Sequence, residues 1–306
     1  MTVASMDLRF QRMENIRTFT SPFVRLRFRS SSLSTGSDLS MQPPMRPTRR
    51  LAVRRLGAVV LIALVAGCPA YSPGARPTTP TDIPVIGEGR QFLFIGNSYL
   101  MVHDVPGIIQ ALADSGGSGP IAVATVAGPD MALIDHWNQG NALRELRKGA
   151  WEAVILQQGP SSVEVNRDSL RLLTKRFADE MRPVNARPAL FSAWPTEIRR
   201  ADFDRAIESY RLAANDVGGL QLPVAAAWLA AWRRDASLVL WEPDGLHAST
   251  EGAYLAALAC YAVLLGRSPI GLPPTLRLRS GAVLSVPPQT ARLLQDAAAE
   301  AVAALK

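Results

Sequence analysis

The chain has 306 residues and a formal net charge of +7, with 33 Lys and Arg against 26 Asp and Glu. Eleven of the basic residues and three of the acidic ones precede Cys68, which leaves 22 against 23, a net of −1, from there onward. The basic excess is therefore a property of the N-terminal segment and makes no case for nucleic-acid binding. With Cys68 and Cys260 as the two cysteines, a disulfide framework is excluded as the basis of the fold.

Residues 45–68 read MRPTRRLAVRRLGAVVLIALVAGC. Five arginines (Arg46, Arg49, Arg50, Arg54, Arg55) precede an apolar run from Leu56 to Ala66. That run is short for a bilayer span and has the proportions of a signal-peptide core. Its end, Leu64-Val65-Ala66-Gly67-Cys68, resembles a bacterial lipobox, which implies lipidation of Cys68 and a membrane-anchored protein of the bacterial cell envelope, facing the periplasm or the exterior. A lipidated Cys68 leaves Cys260 without a disulfide partner. A signal peptide starts close to its basic region, so Met41 or Met45 is the natural start, and residues 1–44 are expected to be a non-native upstream extension or disordered. Residues 69–88, rich in Pro, Thr and Gly, read as a semi-extended tether, followed by one domain over 89–306.

From residue 91 on, short apolar strands alternate with amphipathic helices. The strands expected in chain order are 92–95, 121–126, 153–156, 189–193 and a weaker one at 223–227. The helices are 106–114, 132–148, 168–181, 201–217, 249–265 and 289–304. Short apolar runs bounded by Gly, Pro or polar residues suit strands buried on both faces. Their alternation with helices predicts an α/β domain with a parallel central sheet of about five strands between helical layers. Asp104 before Val105-Pro106 reads as a helix N-cap, and Ser249-Thr250-Glu251 offers capping groups for a later helix. The Pro-rich stretch 273–288 carries no clear pattern. Sites in such sheets lie at the carboxyl ends of the strands. Those ends carry Gly96-Asn97-Ser98, Ala127-Gly128, Gln157-Gln158-Gly159 and Trp194-Pro195.

Two of these stretches carry chemistry. FLFIGNSYL (92–100) ends a strand on a serine. EPDGLHASTEGAYLAAL (242–258) places Asp244 and His247 three apart before a helix. A serine hydroxyl needs a base to take its proton, and the base needs an acid to fix its tautomer and stabilise the imidazolium. GNSY after the first strand and DGLH before the last large helix resemble the SGNH (GDSL-like) hydrolase superfamily, in particular a bacterial subgroup with GNSYT-type openings. The resemblance spans roughly residues 90–266 and implies a three-layer α/β/α flavodoxin-like fold. It further implies Ser98 as nucleophile, His247 as general base and Asp244 as its orienting acid. The implied oxyanion hole consists of the Ser98 N–H, the Gly128 N–H and a side-chain amide after the third strand. The third block, LQQGPSS, departs from the family's Gly-x-Asn-Asp. Gln157 or Gln158 supplies an amide, with Gln158 preferred, whereas direct superposition puts Ser161 at the asparagine. Asn97 stands where the commoner motif has Asp and reads as a turn residue bracing the loop.

The remaining singular residues have structural readings. His103 reads as a loop histidine beside the Asp104 cap. His136 reads as a surface or half-buried helix residue. Neither has metal-ligand spacing, so neither a catalytic metal nor a cofactor is expected. Trp137, Trp194, Trp228, Trp232 and Trp241 read mostly as core. Trp194, at a strand exit, is the candidate to line an acyl or sugar pocket, and Trp241 the candidate to shield the dyad from water. Arg199-Arg200 and Arg233-Arg234 read as solvated helix ends, and Cys260 as a small core residue. The expected function is a serine esterase acting on short acyl groups, a small-molecule or glycan ester being the substrate. An O-acyltransferase acting on envelope polysaccharide and a non-catalytic binding lipoprotein are the alternatives.

Overall fold

The computed structural model describes residues 84–305. The upstream extension, the signal segment, Cys68 and residues 69–83 of the tether lie outside the described residues.

Five parallel strands form the body of the sheet: β2 (Arg90–Gly96), β3 (Ile121–Ala127), β4 (Trp151–Leu156), β5 (Arg187–Phe191) and β6 (Leu220–Leu222). Their spatial order is β3-β2-β4-β5-β6, the doubly wound flavodoxin-like order. A two-residue strand, β1 (Ile86–Gly87), extends the sheet by pairing antiparallel with β3. It lies within the stretch assigned to the tether. Gln110 fastens it, with Nε2 donating to the carbonyls of Ile86 (2.7 Å) and Ile121 (2.6 Å).

The strands read as unbroken apolar runs because both faces are covered. Phe92 and Phe94 point into one core with Ile108, Leu112 and Tyr261, while Leu93 and Ile95 point into the other with Leu143, Leu173 and Phe177. The same alternation runs through Ala153/Ile155 and Val154/Leu156. After β2 come a single turn, α1 (Ser98–Met101), and α2 (Val105–Ser115). The expected helix over 132–148 is two helices, α3 (Leu133–Gln139) and α4 (Asn141–Leu146). Gly140, in the left-handed region (φ 76°), breaks the ladder between them. Then follow α5 (Glu164–Met181), α6 (Phe203–Asn215), α7 (Val224–Arg234), α8 (Thr250–Leu265) and α9 (Pro288–Ala303).

The strand expected at 223–227 is a correction: the strand is Leu220–Leu222, and Val224–Arg234 is helix. Pro223 cannot donate to a ladder, and the Ala-rich run after it favours a helix. The unassigned Pro-rich stretch holds an antiparallel pair, β7 (Thr275–Arg277) and β8 (Val283–Ser285).

Helix α8 is apolar all round because neighbours cover nearly every side, as its almost unbroken burial shows. Its first turn is fixed by Ser249, whose Oγ accepts the Gly252 N–H at 3.1 Å. A Cβ at Gly252 would strike the Leu240 carbonyl and sit 2.8 Å from the Trp228 ring. Gly→Ala in a helix normally stabilises by about 0.5–1 kcal/mol. Here a backbone atom blocks the methyl, and overpacking costs about 1–3 kcal/mol. Gly252→Ala is therefore expected to lower the melting temperature, read by circular dichroism; a rise would refute the close approach.

Candidate active site

The site assembles at the carboxyl ends of the strands. β2 stops at Gly96, and Asn97 caps the single turn that follows, its Oδ1 accepting the Tyr99 N–H at 3.1 Å. Ser98 is the first residue of that turn. Its N–H therefore has no intrahelical partner, and its hydroxyl stands at the sheet edge.

His247 and Asp244 arrive from the loop before α8. His247 Nε2 lies 2.9 Å from Ser98 Oγ, and its Nδ1 lies 2.6 Å from Asp244 Oδ2. The carboxylate takes the Nδ1–H, so Nε2 presents its lone pair to the serine hydroxyl. Asp244 Oδ1 also accepts the N–H groups of Leu246 (2.8 Å) and His247 (2.9 Å). The His247 hydrogen bond, followed by these backbone donors, holds the Asp244 carboxyl down to about 2. Gly245, at φ 64°, turns the chain so that one residue bonds both the histidine side chain and its main chain. Ser98, His247 and Asp244, expected from sequence, are thus brought together.

The residues around them depart from expectation. Gln157 is fully buried and committed: Oε1 accepts the Asn97 N–H (2.8 Å), while Nε2 donates to Asn97 Oδ1 (3.0 Å) and the Gln158 carbonyl (2.6 Å). Gln158 Nε2 donates to Ser161 Oγ (2.8 Å) and the Asn166 carbonyl (3.3 Å), and its Oε1 accepts the Leu133 N–H (3.3 Å). Ser161 Oγ in turn donates to the Gly159 carbonyl at 3.1 Å. The oxyanion donation expected of Gln158 is not made in this arrangement. Buried amides find protein partners first, and all three candidates of this block brace the loops behind Ser98. The Gly128 N–H reaches the Gly96 carbonyl at 3.4 Å, a long bond that leaves it weakly held. Asn97 is a brace, as its turn position suggests: Nδ2 donates to the Met131 carbonyl at 3.1 Å.

His136 is a correction. It is 1 % exposed and donates Nε2–H to the Gly96 carbonyl at 2.7 Å. Burial pushes its imidazole down, so it stays neutral and fixes the strand end two residues before Ser98. Its spacing of three from buried Leu133 is the helical signal that it faces inward. Trp194 lines no pocket. It is fully buried, stacked on Trp228 at 4.5 Å and edge-on to Tyr99 at 4.7 Å, and its Nε1 donates to the Leu246 carbonyl at 2.9 Å. It supports the turn that begins at Ser98 and the His247 loop from beneath. Trp241 packs on Trp228, Trp232 and Phe203 and donates to the Pro195 carbonyl at 3.1 Å, which is core packing and not a shield over the dyad.

The arginine pairs are not simply solvated. Arg200 stacks on Trp232 at 3.9 Å, and Arg233 and Arg234 pair with Glu300. The bond that His103 makes is to the His247 loop: its Nε2 meets Glu242 Oε1 at 2.7 Å. Cys260 is fully buried in α8, and burial pushes its thiol up, as fits a core residue. Beside the turn that begins at Ser98 lies a cavity of about 510 Å³ between Met101, His103 and Thr250 and the β7–β8 hairpin, with Ser280 and Ser285 on its wall.

Sheet order and site together define an α/β/α protein with an aligned Ser-His-Asp constellation at the end of its first long strand. No protein-family model matches the chain, and no curated protein is similar to it in sequence. Among solved structures it is similar to a protein from Slackia heliotrinireducens described as a candidate SGNH hydrolase, at 22 % identity and TM-score 0.50, over 58 % of this chain and 100 % of that one. It is also similar to a DUF4886 family protein from Bacteroides uniformis, at 18 % identity and TM-score 0.56, over 70 % of this chain and 95 % of that one. The fold is that of the SGNH hydrolases.

Proposed function

We propose that this chain is a serine ester hydrolase that removes short acyl groups, acetyl above all, from a hydroxylated alcohol such as a sugar. The observation that carries the reading is the continuous line Ser98 Oγ–His247 Nε2 (2.9 Å), His247 Nδ1–Asp244 Oδ2 (2.6 Å). A binding protein has no physical need of all three groups in that register.

In this reading Ser98 Oγ attacks the ester carbonyl while His247 takes its proton. The Ser98 N–H faces the developing oxyanion, helped by Gly128 once its long bond to Gly96 yields. The proton passes from His247 to the leaving alcohol as the carbon–oxygen bond breaks. A water, deprotonated by His247, then attacks the acyl-enzyme, and the proton returns to Ser98 as the carboxylic acid leaves. Hydroxyls of Thr250, Ser280 and Ser285 around the neighbouring cavity suit a polar alcohol group. A lipid on Cys68 would hold the enzyme at the envelope, where acylated glycans are at hand.

The test uses residues 69–306, treated with a fluorophosphonate and assayed on p-nitrophenyl acetate and butyrate, beside Ser98→Ala and His247→Ala. Labelling and turnover in the wild type, absent from both variants and faster on acetate, are the expected result. A folded wild type that neither labels nor turns over would sink the proposal.

A further inference from the structure

We propose that His103 and Glu242 form a positioning clamp that keeps the nucleophile segment and the acid–base loop in register while Ser98 is acylated. The proposal rests on the hydrolase reading above.

The loop carrying Asp244 and His247 is well fastened to itself and to the end of β5. Glu242 N–H donates to the His247 carbonyl (2.8 Å), Gly245 N–H to the Glu242 carbonyl (2.9 Å), Glu197 N–H to the Gly245 carbonyl (2.8 Å) and Trp194 Nε1 to the Leu246 carbonyl (2.9 Å). None of these bonds reaches the segment that carries Ser98. Among the described residues two polar contacts join residues 97–104 to residues 241–249: Ser98–His247 and His103–Glu242 (2.7 Å). The first is consumed by the reaction. Once Ser98 Oγ is an ester oxygen it has no proton to donate to His247. His247 must nevertheless stay in place to take a proton from water as the water oxygen bonds to the acyl carbon. It must then return that proton to Ser98 Oγ as the Oγ–carbon bond breaks. Through that interval His103–Glu242 is the polar tie that remains.

The geometry suits the task. His103 (φ 62°) and Asp104 (φ 53°) are consecutive non-glycine residues in the left-handed region. Such backbone persists where its surroundings over-determine it, and it collects at functional sites. Here it turns the imidazole toward Glu242 while Asp104 caps α2 through the Gly107 N–H at 3.1 Å. Glu242 is equally placed to transmit, because its main chain bonds His247 on one side and Gly245 on the other. The two side chains are 28 % and 35 % exposed, and so exposed a pair adds little to global stability. Its effect should appear in the reaction rate and hardly at all in the melting temperature.

The experiment compares wild type, His103→Asn, Glu242→Ala, the double variant and Glu242→Gln on p-nitrophenyl acetate, with stopped-flow and steady-state rates read together. Asparagine accepts a left-handed backbone but is too short to reach Glu242. Should it disturb the fold, Glu242→Ala carries the test alone. A loss in kcat of about tenfold is expected in each single variant. The first turnover should remain fast, so a burst of p-nitrophenol exceeds that of the wild type. The double variant should be no worse than either single one, and Glu242→Gln, which can still bond the imidazole, should recover most of the rate. Unchanged kcat in both singles, or losses that multiply in the double, would overturn the clamp. Ser98→Ala runs in parallel: turnover surviving there would overturn the hydrolase reading itself, whereas turnover lost there and intact in His103→Asn and Glu242→Ala overturns the clamp alone.

Discussion

Ser98→Ala is expected to lower kcat by about 10⁶-fold, because nucleophile and base act as one unit and the loss of either removes the whole covalent route. His247→Ala should cost as much, and combining the two should cost little more. The fold should not notice the change at Ser98: its hydroxyl makes its side-chain bond to His247, and such a half-buried deletion stays within about 0.5 kcal/mol. Turnover of p-nitrophenyl acetate and a thermal melt of each variant check both halves. Asp244→Asn is expected to be milder than the roughly 10⁴-fold loss seen when a buried triad aspartate is made neutral. The Asp244 side chain is 48 % exposed, so water can take over part of its role. The sign of its pH dependence follows from its depressed carboxyl. The native state favours the charged form, so the stabilising contribution is in place above the ordinary 3.8 and is lost as pH falls toward about 2. Any acid loss of kcat/KM at milder pH therefore does not report protonation of Asp244. Asp244→Asn should lower the plateau, and an unchanged plateau would deny Asp244 its role.

Gln157→Leu is expected to cost about 3 kcal/mol, because it strands one buried donor, worth about 1–3 kcal/mol, and removes two further hydrogen bonds worth about 0.5–1.5 kcal/mol each. The Asn97 N–H loses its partner, while Asn97 Oδ1 and the Gln158 carbonyl each lose one of two donors and keep the Tyr99 N–H (3.1 Å) and the Tyr210 hydroxyl (2.8 Å). For a domain of this size each kcal/mol lowers the melting temperature by about 2–4 °C, so a fall on the order of 10 °C is anticipated. Activity should fall further than stability at room temperature, by roughly 10–100-fold, since Asn97 caps the turn that carries Ser98. Gln157→Glu separates the causes. It keeps the acceptor for the Asn97 N–H but sets a carboxylate oxygen against Asn97 Oδ1, so it should be destabilising although its shape is nearly unchanged. A melt for Gln157→Leu within a degree or two of wild type would show that this network does not hold the nucleophile turn.

The contrast between Ser98 and Gln157 shows where sequence reading reaches and where it ends. Ser98, Asp244 and His247 were legible because their chemistry is local. A serine that ends a strand and an Asp-x-x-His on one loop make sense within a few residues, and the alternation of strand and helix brings both to the same sheet edge. The strands of the sheet core were legible for a similar reason: burial on both faces leaves unbroken apolar runs such as Phe92-Leu93-Phe94-Ile95. The edge was not. A three-residue strand, Leu220–Leu222, has too few residues to show a period, and the Ala-rich run beside it drew the assignment away.

The destinations of the polar side chains could not be read in the same way. Gln157 and Gln158 have the amides an oxyanion hole needs, but an amide donates to whatever buried acceptor lies within reach: for Gln157 that is Asn97, 60 positions away, and for Gln158 it is Ser161 Oγ and the Asn166 carbonyl just downstream. The same holds for His136 on Gly96, for Trp194 beneath the histidine loop and for His103 on Glu242, contacts that join residues 40, 52 and 139 positions apart. The sequence by itself determined the layered α/β pattern and named the three residues that meet at the strand ends, because periodicity and motif chemistry act over a few residues. The tertiary structure decided which side chains brace those groups, because the partner of a buried donor is set by packing between segments far apart in the chain.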